Sequence, residues 1–256
     1  MGELTTVPAA VELTVVDDLA TVTLERVDRA NALDADTVDA LTRAVDDAEA
    51  QACRALVIRS AAGTFCAGFD LDDVPDASTS ELVWRFLRIG GLLERLQSSA
   101  MLTIAVLEGA AVGAGADLAL ACDMRIGTDQ ASLRFPGSAF GVVLGTRRLA
   151  AVIGDAAAVR LAATGDRVDA AEAHRLGLLD QLTEPPRIDA ELGRLIRSAV
   201  RREPATLRAL KAATATGDPA GLADLTRSLI NRPDLAAAMT QFARRARPTT
   251  PREEQS

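Results

Sequence analysis

Apolar and polar residues alternate along Val11–Val16 and again along Thr21–Glu25, on either side of Asp17-Asp18, which predicts a hairpin of two half-buried strands. The period then changes. Over Ala35–Ala52 the apolar residues Val38, Leu41, Val45 and Ala48 recur at helical spacing. Arg54–Arg59 carries the unbroken apolar run ALVI, and Thr103–Leu107 a second one; short runs of this kind fit strands buried on both faces. Between them, Glu81–Leu96 predicts a helix with Leu82, Phe86, Ile89 and Leu93 in register. A third helix opens at the small-residue turn GAAVGAGAD and runs through Leu120, and Asp123–Ile126 returns to a strand.

The first half therefore repeats strand, turn and helix, which implies parallel crossovers and an α/β fold. From Thr146 the pattern is helical. Helices are predicted over Arg147–Ile153, Asp155–Thr164, Ala170–Leu176, Ile188–Arg202, Pro204–Ala215, Pro219–Leu229 and Pro233–Arg245, with the prolines at helix N-termini. The polar tail from Arg247 is expected to fray. No composition shift marks a linker. The expected organisation is a core over residues 1–195 and a C-terminal helical region over 196–256.

With 256 residues, 48% of them hydrophobic, the chain can bury a full core. No apolar run approaches the roughly 20 residues that span a bilayer, and no secretory signal is evident, so a cytoplasmic protein without membrane contact is expected. A net charge of −8 argues against nucleic acid, although local arginines can still hold a phosphorylated ligand. Cys53, Cys66 and Cys122 are dispersed and suggest neither disulfides nor zinc. His174, the only histidine, reads as a solvent-facing helix residue, which leaves no convincing Ser–His–Asp triad. Lys211 is the only lysine and the one candidate for a Schiff base. Phosphate-binding and zinc-protease motifs are missing, so neither a metal nor a separate cofactor is expected.

Two turns remain as carriers of chemistry: Cys66-Ala67-Gly68-Phe69-Asp70-Leu71 and Gly113-Ala114-Gly115-Ala116-Asp117. Each leaves the C-terminal end of a buried strand, where ligands gather in open α/β folds. Small side chains admit a ligand close to the backbone, and the second turn starts a helix whose first N–H groups are free. Two such turns can aim N–H donors at one oxygen. Gly–Ala runs also occur where a helix simply packs tightly on a sheet, so the turns alone leave both readings open.

The segments RVDRANAL (Arg26–Leu33), RALVIRSAAGTFCAGFDL (Arg54–Leu71), GAAVGAGADLALACDMRI (Gly109–Ile126) and TGDRVDAAEAHRLGLLD (Thr164–Asp180) resemble, in this order, the crotonase (enoyl-CoA hydratase/isomerase) superfamily. The resemblance implies a spiral of ββα units with a C-terminal helical trimerisation region, in a homotrimer or hexamer. It implies an acyl-CoA thioester as ligand, with coenzyme A part of the substrate. On the matching positions the oxyanion donors are the N–H groups of Phe69 and Ala114. Ala67, Phe69, Asp70, Leu71, Asp72 and Gly113 would line the substrate, with Arg29 a candidate for the phosphates. Phe242 and Arg245 are candidates to reach a neighbouring subunit's CoA. Trp84 and Phe86 are placed on a helix expected to line the acyl pocket, or simply in its core.

The family's hydratases use two glutamates. At the first position this chain has Asp117, one methylene shorter; it reads equally as a helix first-turn acid stabilised by the dipole. At the second, after Pro136, stands Gly137, and neither Ser138 nor Arg134 nearby is a natural base at neutral pH. Three outcomes follow: an enzyme with a relocated base, Asp117 alone or an acid from the Asp70–Glu81 loop, in a proton shuttle, retro-aldol or hydrolytic step; a non-catalytic acyl-CoA carrier; or a weak hydratase. Ordinary hydration or isomerisation is expected to be weak or absent.

Overall fold

The computed structural model describes residues 10–214 and 220–246. The expected tail from Arg247, the helix start at Pro219 and the N-terminal residues before Ala10 lie outside the described residues. In chain order the elements are β1 (Val11–Val16), β2 (Leu19–Leu24), α1 (Ala35–Ala50), β3 (Ala55–Ser60), α2 (Thr79–Ser98), β4 (Leu102–Leu107), β5 (Ala110–Val112), α3 (Ala114–Ala121), β6 (Met124–Gly127) and β7 (Ser132–Arg134). There follow α4 (Thr146–Ile153), α5 (Asp155–Thr164), β8 (Val168–Asp169), α6 (Ala170–Leu176), β9 (Gln181–Leu182), α7 (Ile188–Ala199), α8 (Pro204–Thr214), α9 (Ala220–Ile230) and α10 (Leu235–Ala246).

The hairpin forms, with Val16 pairing Leu19 and Asp17 in the left-handed region at φ 52°. The main sheet runs β1-β2-β3-β4-β6-β9 and is parallel from β2 onward. Leu56 and Ile58 of β3 join a core with α1 and α2, whereas Ala55 and Val57 meet α7 through Ile188, Leu192 and Ile196 on the opposite face. Burial on both faces explains the continuous apolar runs of β3 and β4. A second sheet, β5-β7-β8, carries the second small-residue turn at the end of β5. Its two- and three-residue strands are too short to show a period, which is why the sequence presents Ala110–Val112 only as part of a turn.

Helix α2 starts two residues before the sequence places it. Ser78 caps Glu81 N–H through its side chain, and the Glu81 carboxylate reaches back to Ser78 N–H at 2.7 Å, closing a capping box. Helix α1 stops short of its expected end because Ala52 turns left-handed at φ 58°. The acidic stretch after Asp70 is anchored to the core: Val74 is fully buried, and Asp70 is 6% exposed. Leu225 and Leu229 of α9, with Leu235 and Met239 of α10, pack into the same core as the sheet.

Candidate active site

The loop Ala30–Leu33 and the strand end Cys66–Asp70 lie side by side. Asn31 is left-handed at φ 54°, and its side-chain amide donates to the Thr64 and Phe65 carbonyls at 2.9 and 3.2 Å. Leu33 donates to the Gly68 carbonyl at 2.7 Å and accepts from Asp70 N–H at 3.2 Å. This is a parallel bridge between Leu33 and Phe69. Because Leu33 bonds to the residues flanking Phe69, the Phe69 N–H faces the other way, towards the second turn.

That turn is brought close by a second bridge, Cys66 to Ala111, with Val112 N–H donating to the Cys66 carbonyl at 2.9 Å. Gly113 adopts φ 54°, ψ −122° and then α3 begins at Ala114, whose N–H belongs to the helix's free first turn. Gly68 is the point of closest approach. It adopts φ 86°, and a Cβ there would run into the Val112 carbonyl and stand 3.1 Å from Ala114 N. Gly115 is equally confined, since a Cβ would stand 2.7 Å from Cys66 Cβ. The two small-residue turns are thus packed directly against each other.

Ala67, Phe69, Leu71, Gly113, Ala114 and Asp117 line one cavity of about 430 Å³. Asp70, Asp72 and Arg29 do not. The Asp70 carboxylate turns inward to Arg26 Nη1 at 2.8 Å, and Arg29 pairs with Asp72 at the surface. Phe86 lines the cavity, whereas Trp84 on the same helix is 62% exposed and corrects the expectation that both do. Phe242 lines the cavity of its own chain, with its ring edge-on to Phe140 at 5.1 Å. Arg245 is exposed on α10, and His174 is exposed on α6 with Nδ1 3.1 Å from the Leu179 carbonyl. Lys211 meets the Asp123 carboxylate and the Met101 carbonyl, both at 2.8 Å.

Asp117 is 7% exposed in the first turn of α3. Burial pushes its carboxyl up to about 7, with the nearby positive charge of Arg148 pulling the other way. Its carboxylate rests against the Cα of Gly145, the residue that opens α4: a Cβ on Gly145 would collide with the Asp117 carboxylate and stand 3.0 Å from its Cβ. Arg148, from α4, donates through Nε to Gln97 at 2.7 Å, and burial lowers its own pKa against the pull of Asp117 and Glu94. Gly137 also lines the cavity and brings no acid; a Cβ there would meet the Val142 carbonyl at 3.0 Å. Ser138 donates to the Ala162 carbonyl, and Arg134 Nε to the Gly165 carbonyl at 2.6 Å.

Arg85 has no sequence signature but holds the first turn in place. Its guanidinium lies 4.4 Å from the Phe69 ring centroid and donates to the Asp70 carbonyl at 3.1 Å and the Asp73 carboxylate at 2.7 Å. The other face of the Phe69 ring stacks on Phe86 at 4.4 Å. Replacing Arg85 by leucine should loosen residues 69–73 without emptying the core. Given about 0.5–1 kcal/mol for a cation–π contact and similar values for each of the two hydrogen bonds, stability is expected to fall by about 1.5–3 kcal/mol, as thermal melts would show.

Residues 15–229 match the family model described as enoyl-CoA hydratase/isomerase. The chain is 35% identical over 177 residues to YngF of Bacillus subtilis (strain 168), assigned as an enoyl-CoA hydratase/isomerase, covering 66% of this chain and 67% of that protein. Among solved structures, a Bordetella parapertussis protein assigned to the same group superposes with a TM-score of 0.88 at 34% identity, covering 93% of this chain and 99% of that one. A Thermobifida fusca YX protein assigned as an enoyl-CoA hydratase, solved with acetoacetyl-CoA, gives a TM-score of 0.74 at 29% identity over 93% and 95% of the two chains.

Proposed function

This chain belongs to the enoyl-CoA hydratase/isomerase family, and from that premise we propose that it binds acyl-CoA thioesters and moves a proton at the carbon next to the carbonyl, with Asp117 as its only acid–base group. The observation that carries the reading is that, among the described residues, Asp117 is the one carboxylate lining the cavity shared by the Phe69 and Ala114 turns, with glycine at 137. The thioester oxygen sits between the two N–H donors. The α-carbon proton passes to the Asp117 carboxylate, and its electron pair moves into the thioester as an enolate. The donors hold that charge more strongly than the neutral carbonyl. A carboxyl raised to about 7 divides its population between base and acid near neutral pH, which suits a group that both takes and returns a proton.

Hydration asks for more, because water must be held and deprotonated while a second group delivers a proton. Gly137 supplies neither. We therefore expect crotonyl-CoA hydration to be slow. Gly137→Glu alone should leave it at least about a hundredfold below a two-glutamate hydratase, since general acid–base catalysis contributes about 10²–10⁴. The new side chain would also have to leave a backbone tight against the Val142 carbonyl. The assay is loss of enoyl absorbance.

In the same reading, Ala67–Leu71 lies along the adenine and pantetheine of CoA, with Arg29 turning from Asp72 to a phosphate. The protein works in the cytoplasm as a homotrimer or hexamer, which sedimentation would test; Ile230, 74% exposed on α9, supports a buried contact there. The alternative is a non-catalytic acyl-CoA carrier, favoured by the missing acid at 137. Butyryl-CoA incubated with the protein in deuterium oxide discriminates the two. α-Deuterium incorporation followed by mass spectrometry supports the one-acid enzyme. Binding without exchange supports the carrier, and crotonyl-CoA turnover at ordinary hydratase rates overturns both.

A further inference from the structure

The chain has six phenylalanines, one tryptophan and no tyrosine, so aromatic side chains are only 3% of its residues. Five of the six phenylalanines line the one cavity described above: Phe69, Phe86, Phe135, Phe140 and Phe242. They come from the first turn, from α2, from the stretch after β7 and from α10, so no single element brings them together. Four form a continuous series, with centroids 4.4 Å apart for Phe69–Phe86, 6.3 Å for Phe86–Phe140 and 5.1 Å for Phe140–Phe242. The angle between planes opens along it from 24° through 32° to 61°. This passes from stacked to edge-on packing, the two arrangements that aromatic pairs prefer.

None of these rings carries a hydroxyl or an indole N–H, so the wall offers no polar handle. Of the polar residues that line the cavity, Ser138 is committed to the Ala162 carbonyl and Arg134 Nε to the Gly165 carbonyl, which leaves Asp117 and Thr146. At about 430 Å³ the cavity has room for roughly a dozen units the size of a water molecule, more than a four-carbon acyl group fills. A flexible alkyl chain could fill it but would lose rotamer freedom in doing so, whereas a ring presents the same carbon count with fewer bonds to freeze.

Resting on the acyl-CoA reading above, we propose that the acyl group this protein selects is a bulky, uncharged, ring-bearing one, an aryl-alkanoyl or aryl-alkenoyl thioester, whose ring continues the aromatic series that ends at Phe140 and Phe242. The probes are 3-phenylpropanoyl-CoA and nonanoyl-CoA, which have equal carbon counts, with butyryl-CoA as the short reference, all titrated calorimetrically against the full chain. 3-Phenylpropanoyl-CoA should bind about threefold to tenfold tighter than nonanoyl-CoA, the range of one added aromatic pair. Phe140→Leu should abolish the preference and bring the two to parity. Phe242→Leu, on the half-buried face of α10, gives the same readout if the Phe140 variant fails to fold. Equal or tighter binding of nonanoyl-CoA overturns the proposal and leaves acyl-CoA binding intact, as does a preference that survives the leucine variant. Failure of all three thioesters to bind overturns the acyl-CoA reading itself.

Discussion

Gly68→Ala is expected to reduce proton exchange on a bound acyl-CoA at least about a hundredfold, the cost of losing one donor of an oxyanion hole. Gly68 holds φ 86°, and a Cβ there runs into the Val112 carbonyl. The left-handed backbone alone costs an L-residue about 1–2 kcal/mol, which in a chain of this size lowers the melting temperature by roughly 2–8 °C. The collision adds to that, and it is relieved only by moving the Val112–Ala114 turn away from Phe69. The two N–H groups then no longer converge. The direct readout is the carbonyl stretch of an isotope-labelled thioester bound to each protein, which a working pair of donors shifts to lower frequency. Gly68→Ala should return it towards the value in water. Phe69→Leu, by contrast, changes a side chain whose backbone N–H is the donor, and it should keep most of the shift. An unchanged carbonyl frequency in a folded Gly68→Ala protein would falsify the convergence of Phe69 and Ala114 on one oxygen.

This contrast also shows which parts of the site were legible in the sequence. On the proposed reading Phe69 and Ala114 act through the backbone, so what marks them is the small-residue context around them, and Gly68 and Gly113 display it. Asp117 is marked by its place three residues after Ala114. Gly145 and Arg148 carry no such mark. They meet Asp117 only because α4 folds back over α3, and a glycine in FGVVLGT gives no sign that a carboxylate will rest on its Cα. Arg85 is hidden for a related reason: in the helical pattern it is a polar position between core residues, yet it clamps the first turn. The fold was more legible than the site. β3 and β4 are flanked by apolar layers on both faces and read as unbroken runs, and the amphipathic helices show their buried stripes. The strands β5, β7, β8 and β9 did not announce themselves, because two or three residues cannot display a period. Sequence placed Trp84 with Phe86, but Phe86 is buried and Trp84 is exposed, and the packing of neighbouring helices against α2 decides which side is covered.

Asp117→Asn is expected to lose proton exchange and gain stability at the same time. On the proposed mechanism the carboxylate is the base, and its amide cannot accept the proton, so exchange should fall about 10²–10⁴-fold. In the unchanged protein exchange should rise with pH through about 7, as Asp117 ionises, and then level off. Stability moves in the opposite sense. Burial raises the folded carboxyl to about 7, whereas in the unfolded chain it titrates near 3.9. Between those values the native state keeps a proton that the unfolded chain has released, so stability falls as pH rises from about 4 to 7 and stays lowered above it. Three units correspond to about 4 kcal/mol. Asparagine has nearly the same shape and no charge to bury, so it removes that penalty. Part of the gain is offset, because Arg148 loses one of the two carboxylates that offset its own burial and keeps only Glu94. A net gain on the order of 2 kcal/mol at pH 8, vanishing towards pH 4, is the expected result in thermal melts. A carboxylate that merely held structure would show the reverse, with stability lost on substitution and exchange indifferent to the side chain. Destabilisation of the Asp117→Asn protein at pH 8 would remove the buried, easily protonated carboxyl from the account, and retained exchange would remove it from the reaction.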